Sequence, residues 1–403
     1  MSPRARAVAK PKSAGKPEPI PLFEPLLAGN EWRYVKECLD TGWISSVGSY
    51  VNRFEEEMAR RIGTPHAVAT SNGTSALHTA LIVGGVKRDD EVLVSSMTFI
   101  ASANAIRYAG AHPVFMDAEP DYWQIDVEKT LRFLDKECSW SAGILRNKKT
   151  GRRVRALMPV DILGHPADVA PLLEAARKYG LLLLEDSTEA IGALYRRQPV
   201  GRIADIACFS FNGNKLITTG GGGALTTADP AWAKRAKHLT TQAKCDPVEY
   251  IHDEVGHNYR LTNVLAAIGV AQLEQLPDFV ERKRRLAARY EKALKSVPGV
   301  TPMREAPWAR STYWMYTVLI DPKRFGMDSR ALQKRLAGLS IMARPLWQPM
   351  HLSPAHQGAQ SDDCSTATML YRNALSLPCS VGLTASQQDR VVEALRDAAE
   401  RRP

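Results

Sequence analysis

The sequence predicts an α/β protein, a mostly parallel sheet wrapped by helices, followed by a smaller C-terminal α+β unit. Three observations carry this. Between residues 31 and 275, strand-like apolar runs alternate with helical stretches, the pattern of strand–crossover–strand units. The run Leu181 to Glu185 is short, apolar throughout and ends in acids, as a buried parallel strand does. Beyond a long helical stretch closed by Pro298-Gly299, further strand and helix signals appear.

Taken in order, residues 1–18 carry Arg4, Arg6, Lys10, Lys12 and Lys16 among Ala, Pro and Ser, and read as a disordered basic tail. Residues 19–30 lead extended into a first helix. Strands are expected at Ala67–Ala69, Val92–Ser95, Pro113–Asp117, Ala156–Val160, Leu181–Glu185, Ile206–Phe209 and Gly223–Thr226. The basic insertion 146–153 reads as a surface turn. A long helix spans Leu273–Lys295, with Arg282-Lys283-Arg284-Arg285 as a solvated stripe and Leu286, Tyr290 and Leu294 on another face. Strands follow at Trp314–Ile320 and Ile341–Arg344, and helices at Ser329–Leu336 and Ala385–Glu400. The division is therefore a tail (1–18), a large domain (19–275) and a small domain (276–403), without internal repeats.

Lys215 is the most informative residue. It ends Cys208-Phe209-Ser210-Phe211-Asn212-Gly213-Asn214-Lys215 and runs into Ile217-Thr218-Thr219 and the glycines 220–223. A crowded lysine loses its proton, becomes nucleophilic and forms Schiff bases, and the hydroxyl and glycines beside it leave room for a phosphate and a flat ring. Thr70-Ser71-Asn72-Gly73-Thr74-Ser75 precedes a helical pattern, so Gly73 and Thr74 stand where free N–H groups and the dipole can hold a phosphate. Asp186 ends the Leu181 run, where a carboxylate can pair with a protonated ring nitrogen, and Glu189 lies three positions on. Phe99 follows the Val92 run and can stack on a ring. Each segment has a plain structural reading too: a surface lysine in a turn, an ordinary N-cap, a first-turn acid, a core phenylalanine.

Bulk composition sets the limits. A chain of 403 residues is long enough for two domains, and 44% hydrophobic with 24% charged residues is ordinary for a soluble globular protein. No apolar run approaches membrane-spanning length, and no charged-then-apolar leader opens the chain. Six cysteines are scattered without metal spacing, which suits reduced thiols in the cytoplasm. The net charge of +10 resides partly in the tail and the helix stripe, without a recognition motif, so neither nucleic acid nor membrane is expected as a partner.

Phosphate cup, aromatic plate, acid after a strand and lysine after a serine follow one another in that order. The combination resembles the pyridoxal-phosphate-dependent aminotransferases of nucleotide-linked keto-sugars, the DegT/DnrJ/EryC1/StrS family, over roughly residues 20 to 395. The resemblance implies an aspartate-aminotransferase-type (fold type I) three-layer large domain with a smaller C-terminal domain, and pyridoxal 5′-phosphate as cofactor. It makes Lys215 the Schiff-base lysine and proton shuttle and Asp186 the partner of the pyridine nitrogen. Phe99 becomes the stacking ring, Gly73, Thr74 and Ser210 the phosphate ligands, and Glu189 a neighbour of the ring's phenolic oxygen or the reacting centre.

The stretch Gly256-His257-Asn258-Tyr259-Arg260-Leu261 matches one whose asparagine reaches the neighbouring subunit's cofactor, so Asn258 implies a homodimer with shared active sites. Thr41 to Gly48 with Ser45, Tyr313 to Tyr316, and Ala343 to His351 match segments that edge the sugar-nucleotide site. There Arg344 serves as a phosphate or carboxylate clamp and His351 as a further contact. Two departures stand out: Gly221 replaces an acid frequent in the family, and Glu189 stands where many relatives have glutamine or histidine. With the flanking motifs, Glu189 resembles the branch that aminates C4 of 4-keto-6-deoxy sugars, with an amino acid such as glutamate as donor.

Overall fold

The structure, a computed structural model, describes residues 18–400, so all but the last residue of the expected tail lies outside the described residues. All seven runs read as strands of the large domain form one sheet: β1 (His66–Thr70), β2 (Glu91–Ser95), β3 (His112–Met116), β4 (Val154–Met158), β5 (Leu182–Asp186), β6 (Ile206–Ser210) and β7 (Gly223–Thr227). Their order is β1-β7-β6-β5-β4-β2-β3. β7 runs antiparallel to both neighbours, and every other pairing is parallel. The order reverses between β2 and β4, and at such a switch point a crevice opens beyond the strands' carboxyl ends.

The layers follow from the strand period. Side chains alternate between faces, and here both faces are apolar. Val92, Val94, Phe115, Met158 and Leu184 enter one core, and Leu93, Val114, Met116, Leu157 and Leu183 the other. Helices therefore cover both sides: α1 (Glu31–Thr41), α2 (Ser49–Ile62), α3 (Gly73–Val83), α4 (Ala101–Tyr108), α5 (Val127–Lys136), α6 (Val169–Tyr179), α7 (Pro230–Thr240) and α8 (Asn263–Leu294). Phe133 of α5 and Leu172 of α6 cover the second face. Phe54 of α2, Leu77 of α3 and Ile106 of α4 cover the first.

The C-terminal unit is an antiparallel sheet, β8 (Val300–Pro302), β9 (Tyr316–Ile320) and β10 (Ala374–Leu377), with helices at Ser329–Gly338, Ser365–Asn373 and Ala385–Glu400. The extended lead before α1 packs here, its Ile20 N–H donating to the Ser340 carbonyl at 2.8 Å and its Leu22 carbonyl accepting from Cys379 N–H at 2.9 Å.

Four local expectations are corrected. α8 starts at Asn263 rather than Leu273 and runs through Pro277 and across residue 275. Its first turns, rich in Ala and Gly, are buried on several sides, and a Cβ at Gly269 would lie 2.6 Å from the Phe54 ring. Close packing of small residues thus replaces the one-sided apolar stripe that marks a helix in sequence. Ile341–Arg344 forms only isolated bridges, to Ile20 and Ser376, because Pro345 ends any ladder. The insertion 146–153 begins inside a hairpin strand, Ile144–Asn147, paired with Cys138–Ser141. Within the basic stripe, Arg282 and Arg285 are exposed but Lys283 is fully buried and Arg284 half-buried against Glu305. Position 283 falls at helical spacing from Leu276, Phe279, Leu286 and Tyr290, on the buried face.

Candidate active site

The parallel strands deliver the expected residues to one edge of the sheet. Thr70 and Ser210, the last residues of β1 and β6, both register with Gly223, the first residue of antiparallel β7. Glycine is required at this crossing: a Cβ on Gly223 would lie 2.4 Å from the Asn72 carbonyl carbon and 2.7 Å from the Gly73 nitrogen. Asn72 caps α3, its side chain accepting from Ser75 N–H at 2.8 Å. The N–H groups of Gly73 and Thr74 have no protein acceptor among the described residues. A Cβ on Gly73 would lie 2.9 Å from the Ser210 Cβ. The serine hydroxyl, the two free amides and the positive end of the helix therefore share a cradle that suits a phosphate.

Asp186 ends β5, and β5's neighbour β4 continues alongside it, Asp186 N–H donating to the Pro159 carbonyl at 2.9 Å. Its carboxylate accepts from Ser102 Oγ at 2.6 Å and from Thr188 N–H at 3.2 Å. Burial pushes this acid up, and those hydrogen bonds pull it back. No cation pairs with it among the described residues. A buried carboxylate with no cation at ion-pair distance, Lys215 acting on it only from farther off, fits a ligand that brings its own protonated ring nitrogen.

Lys215 lies beyond Ser210, its N–H donating to the Asn212 carbonyl at 2.9 Å. Its Nζ is 3.8 Å from Glu189 Oε1 and 4.1 Å from the centre of the Trp314 ring. Burial lowers its pKa, against the pull of Glu189 and Asp186. Glu189 is buried, which pushes its carboxyl up to about 7 despite Lys215 nearby, and its Oε2 accepts from Leu163 N–H at 2.8 Å. Leu163 holds a left-handed φ of 62° in doing so. Behind this pair, Asp161 accepts from Ser187 Oγ at 2.7 Å and Ala167 N–H at 2.9 Å, and burial pushes it up to about 7. Phe99 is 52% exposed at the foot of α4, whose Ser102 holds Asp186. An exposed ring there is available for stacking.

The remaining expected residues lie elsewhere on the surface. Asn258 bridges Thr241, and its side chain is exposed and makes no protein hydrogen bond among the described residues. Its neighbour Tyr259 accepts from Ser71 N–H at 2.6 Å, which ties this stretch to the phosphate cradle's approach. Ser45 is exposed, its carbonyl accepting from Asn263 N–H at 2.6 Å. Trp43, Val47 and Arg260 help line a cavity of about 390 Å³ in this neighbourhood. Neither Lys215 nor Asp186 belongs to its walls. The Arg344 guanidinium is exposed and, among the described residues, donates only to the adjacent Ala343 carbonyl, at 3.1 Å. Both His351 ring nitrogens are engaged, with Ser96 Oγ at 2.7 Å and Thr368 Oγ1 at 3.1 Å.

Sequence reasoning missed Ser102, Leu163 and Asp161, and placed Trp314 at the edge of the sugar-nucleotide site rather than against Lys215. The spacing of Thr98 and Ser102, whose hydroxyls meet at 2.9 Å, was the one available signal. No group of His, Cys, Asp and Glu among the described residues could hold a metal, and no described helix is long and apolar enough to cross a membrane.

The DegT/DnrJ/EryC1/StrS aminotransferase family profile matches residues 25–396. A GDP-perosamine synthase of Caulobacter vibrioides is 40% identical over 379 residues, covering 93% of this chain and 97% of that protein. One from Escherichia coli O157:H7 is 37% identical over 378 residues, covering 94% and 98%. Among solved structures, Streptomyces venezuelae DesV in complex with a ketimine intermediate has 32% identity and a TM-score of 0.83, covering 92% of this chain and 95% of that one. The aminotransferase TlmJ of Streptoalloteichus hindustanus has 28% identity and a TM-score of 0.85, covering 94% and 99%. The fold is thus the fold type I arrangement of sugar aminotransferases. The chain belongs to the DegT/DnrJ/EryC1/StrS family and is a pyridoxal-phosphate-dependent sugar aminotransferase.

Proposed function

We propose that this chain transfers the amino group of L-glutamate to C4 of a GDP-linked 4-keto-6-deoxy sugar, as a cytoplasmic homodimer with shared active sites. The observation that carries the chemistry is Lys215, set between Glu189 and Trp314 at the sheet edge that also holds Asp186 and the Gly73 cradle. The choice of sugar is supported by three relatives named GDP-perosamine synthase, 35% to 40% identical over nearly the whole chain. A reducing, cytoplasmic setting is supported by six unpaired cysteines. The homodimer is supported by apolar side chains left in solvent around Asn258 and Ser45: Trp43, Val47, Tyr250 and Val255 are all more than half exposed.

In this reading residues 19–275 bind the cofactor and 276–403 close one side of the site with Trp314, Arg344 and His351. Gly73, Thr74 and Ser210 hold the phosphate, Phe99 covers the ring, and Asp186 keeps its nitrogen protonated. Pyridoxal phosphate, so bound, supplies the electron sink that makes the donor's α-proton acidic. Nζ of Lys215, when free, would accept the donor's α-proton and give it up again within the same site. Glu189, with a pKa near neutrality, stands close enough to exchange a proton with Lys215. Ser45, Arg344 and the partner subunit's Asn258 contact the sugar nucleotide or the neighbouring cofactor.

An absorbance spectrum of the purified enzyme tests this. The visible band of lysine-bound cofactor should bleach with L-glutamate and return on adding the GDP-linked keto-sugar. Lys215→Ala should lack that band and turnover while keeping its circular dichroism. Recovery of the band with a dTDP- or UDP-linked sugar but not the GDP-linked one would overturn the sugar assignment.

A further inference from the structure

We propose that Trp314 is the seat of the free Lys215 side chain, and that Lys283, buried beneath it, positions Trp314. This rests on reading Lys215 as the Schiff-base lysine. Trp314 comes from the C-terminal unit, just before β9, and is 2% exposed. Its ring centre lies 4.1 Å from Lys215 Nζ, which is also 3.8 Å from the Glu189 carboxylate. An ammonium over an indole face is attracted by the ring quadrupole, more strongly where water is excluded. The same indole donates from Nε1 to the carbonyl of Asn214, the residue before Lys215, at 2.7 Å. One side chain therefore fixes both the backbone and the terminal nitrogen of the lysine. Trp347 lies parallel to it, at 10° and 6.3 Å, and limits its tilt.

Lys283 explains how the indole is held. This residue of α8 is fully buried, and no carboxylate pairs with it among the described residues. Its Nζ donates to the Trp314 carbonyl at 3.0 Å and to the Cys379 carbonyl. The Phe23 ring lies 5.3 Å away on another side. A buried lysine is costly unless its donors are used, and here they join α8 to the backbone of Trp314 and to the segment after β10. Lys283 acts on Lys215 only through Trp314, so it is a positioning residue. Trp314 touches the reacting nitrogen itself.

The test follows Lys215 as an amine, without turnover. Full-length enzyme freed of cofactor is mixed with pyridoxal phosphate and a mild hydride reductant across a pH series, and adduct at Lys215 is quantified by peptide mass spectrometry. Because the neutral amine reacts, the pH of half-maximal trapping reports on what stabilises the ammonium. Trp314→Leu should lower that midpoint by at least about half a unit, and Trp314→Phe should fall between the two. Lys283→Met should lower the midpoint in the wild-type background and leave it unchanged in Trp314→Leu, since coupled residues are not additive. Should the leucine variant not fold, the phenylalanine variant decides. A wild-type midpoint in the foldable Trp314 variants overturns the inference, and so does a Lys283→Met shift that persists without the indole. Absence of Lys215 adduct in the wild-type protein overturns the reading of Lys215 itself.

Discussion

Asp186 is buried at the end of β5, and the hydrogen bond from Ser102 Oγ, at 2.6 Å, favours its ionised form against the pull of burial. Hydrogen bonds to charged groups contribute about 1.5–3 kcal/mol. Ser102→Ala should therefore weaken binding of pyridoxal phosphate by roughly ten- to a hundredfold, measured by fluorescence titration of the cofactor-free enzyme. An unchanged Kd would mean that Asp186 does not hold the ring nitrogen. At Glu189, the carboxyl is pushed up to about 7, so a turnover profile should carry an ionisation near neutral pH that Glu189→Gln removes. Lys215, Asp186 and the Gly73 segment were legible because each stands in a characteristic local run. Ser102 was not, since it meets Asp186 only when α4 packs beside β5. Lys283 was misread because a basic run hides the one member that falls at core spacing.

Among the elements, β7 carries the sharpest constraint. A Cβ on Gly223 would overlap the backbone at the start of α3, whereas one on Gly221 meets nothing within 4 Å. Gly223→Ala should cost about 2 kcal/mol or more, as overpacking against a fixed backbone does, and should also disturb the phosphate cradle. Gly221→Ala should be close to neutral. Thermal unfolding of both variants checks the pair, and equal losses would contradict the crossing as described. The strands of the large sheet were legible because apolar runs ending in polar residues require a sheet covered on both faces. The start of α8 was not: Ala266, Ala267, Gly269 and Ala271 pack too closely on several sides to leave an amphipathic trace.

For the whole molecule, buried ionisable groups pull stability in opposite directions. His78 and His165 are desolvated, with pKa values lowered to about 4 from 6.5. The stability they carry is complete above 6.5 and is lost as pH falls toward 4. Burial raises Asp161 and, with the Asp161 charge beside it, Glu185, so the stability this pair carries is complete below about 4 and is lost as pH rises through their raised values. In cofactor-free enzyme, the Tm of Asp161→Asn relative to wild type should therefore be most favourable near pH 8 and decline toward pH 5. A difference independent of pH would mean that Asp161 carries no pH-dependent stability. Equilibrium sedimentation should give twice the mass of the 44.5 kDa chain, and mixing inactive Lys215→Ala with inactive Asn258→Ala should restore part of the activity if sites are shared.

All three scales converge on the proposed transfer of an amino group to C4 of a GDP-linked sugar. It is tested most directly by incubating the enzyme with ¹⁵N-labelled L-glutamate and a GDP-linked 4-keto-6-deoxy sugar, then locating the label by mass spectrometry and NMR. A GDP-linked product with ¹⁵N bonded to C4 is expected, together with 2-oxoglutarate. Label at another carbon, or no labelled sugar from an enzyme whose Lys215 carries the cofactor, would contradict it.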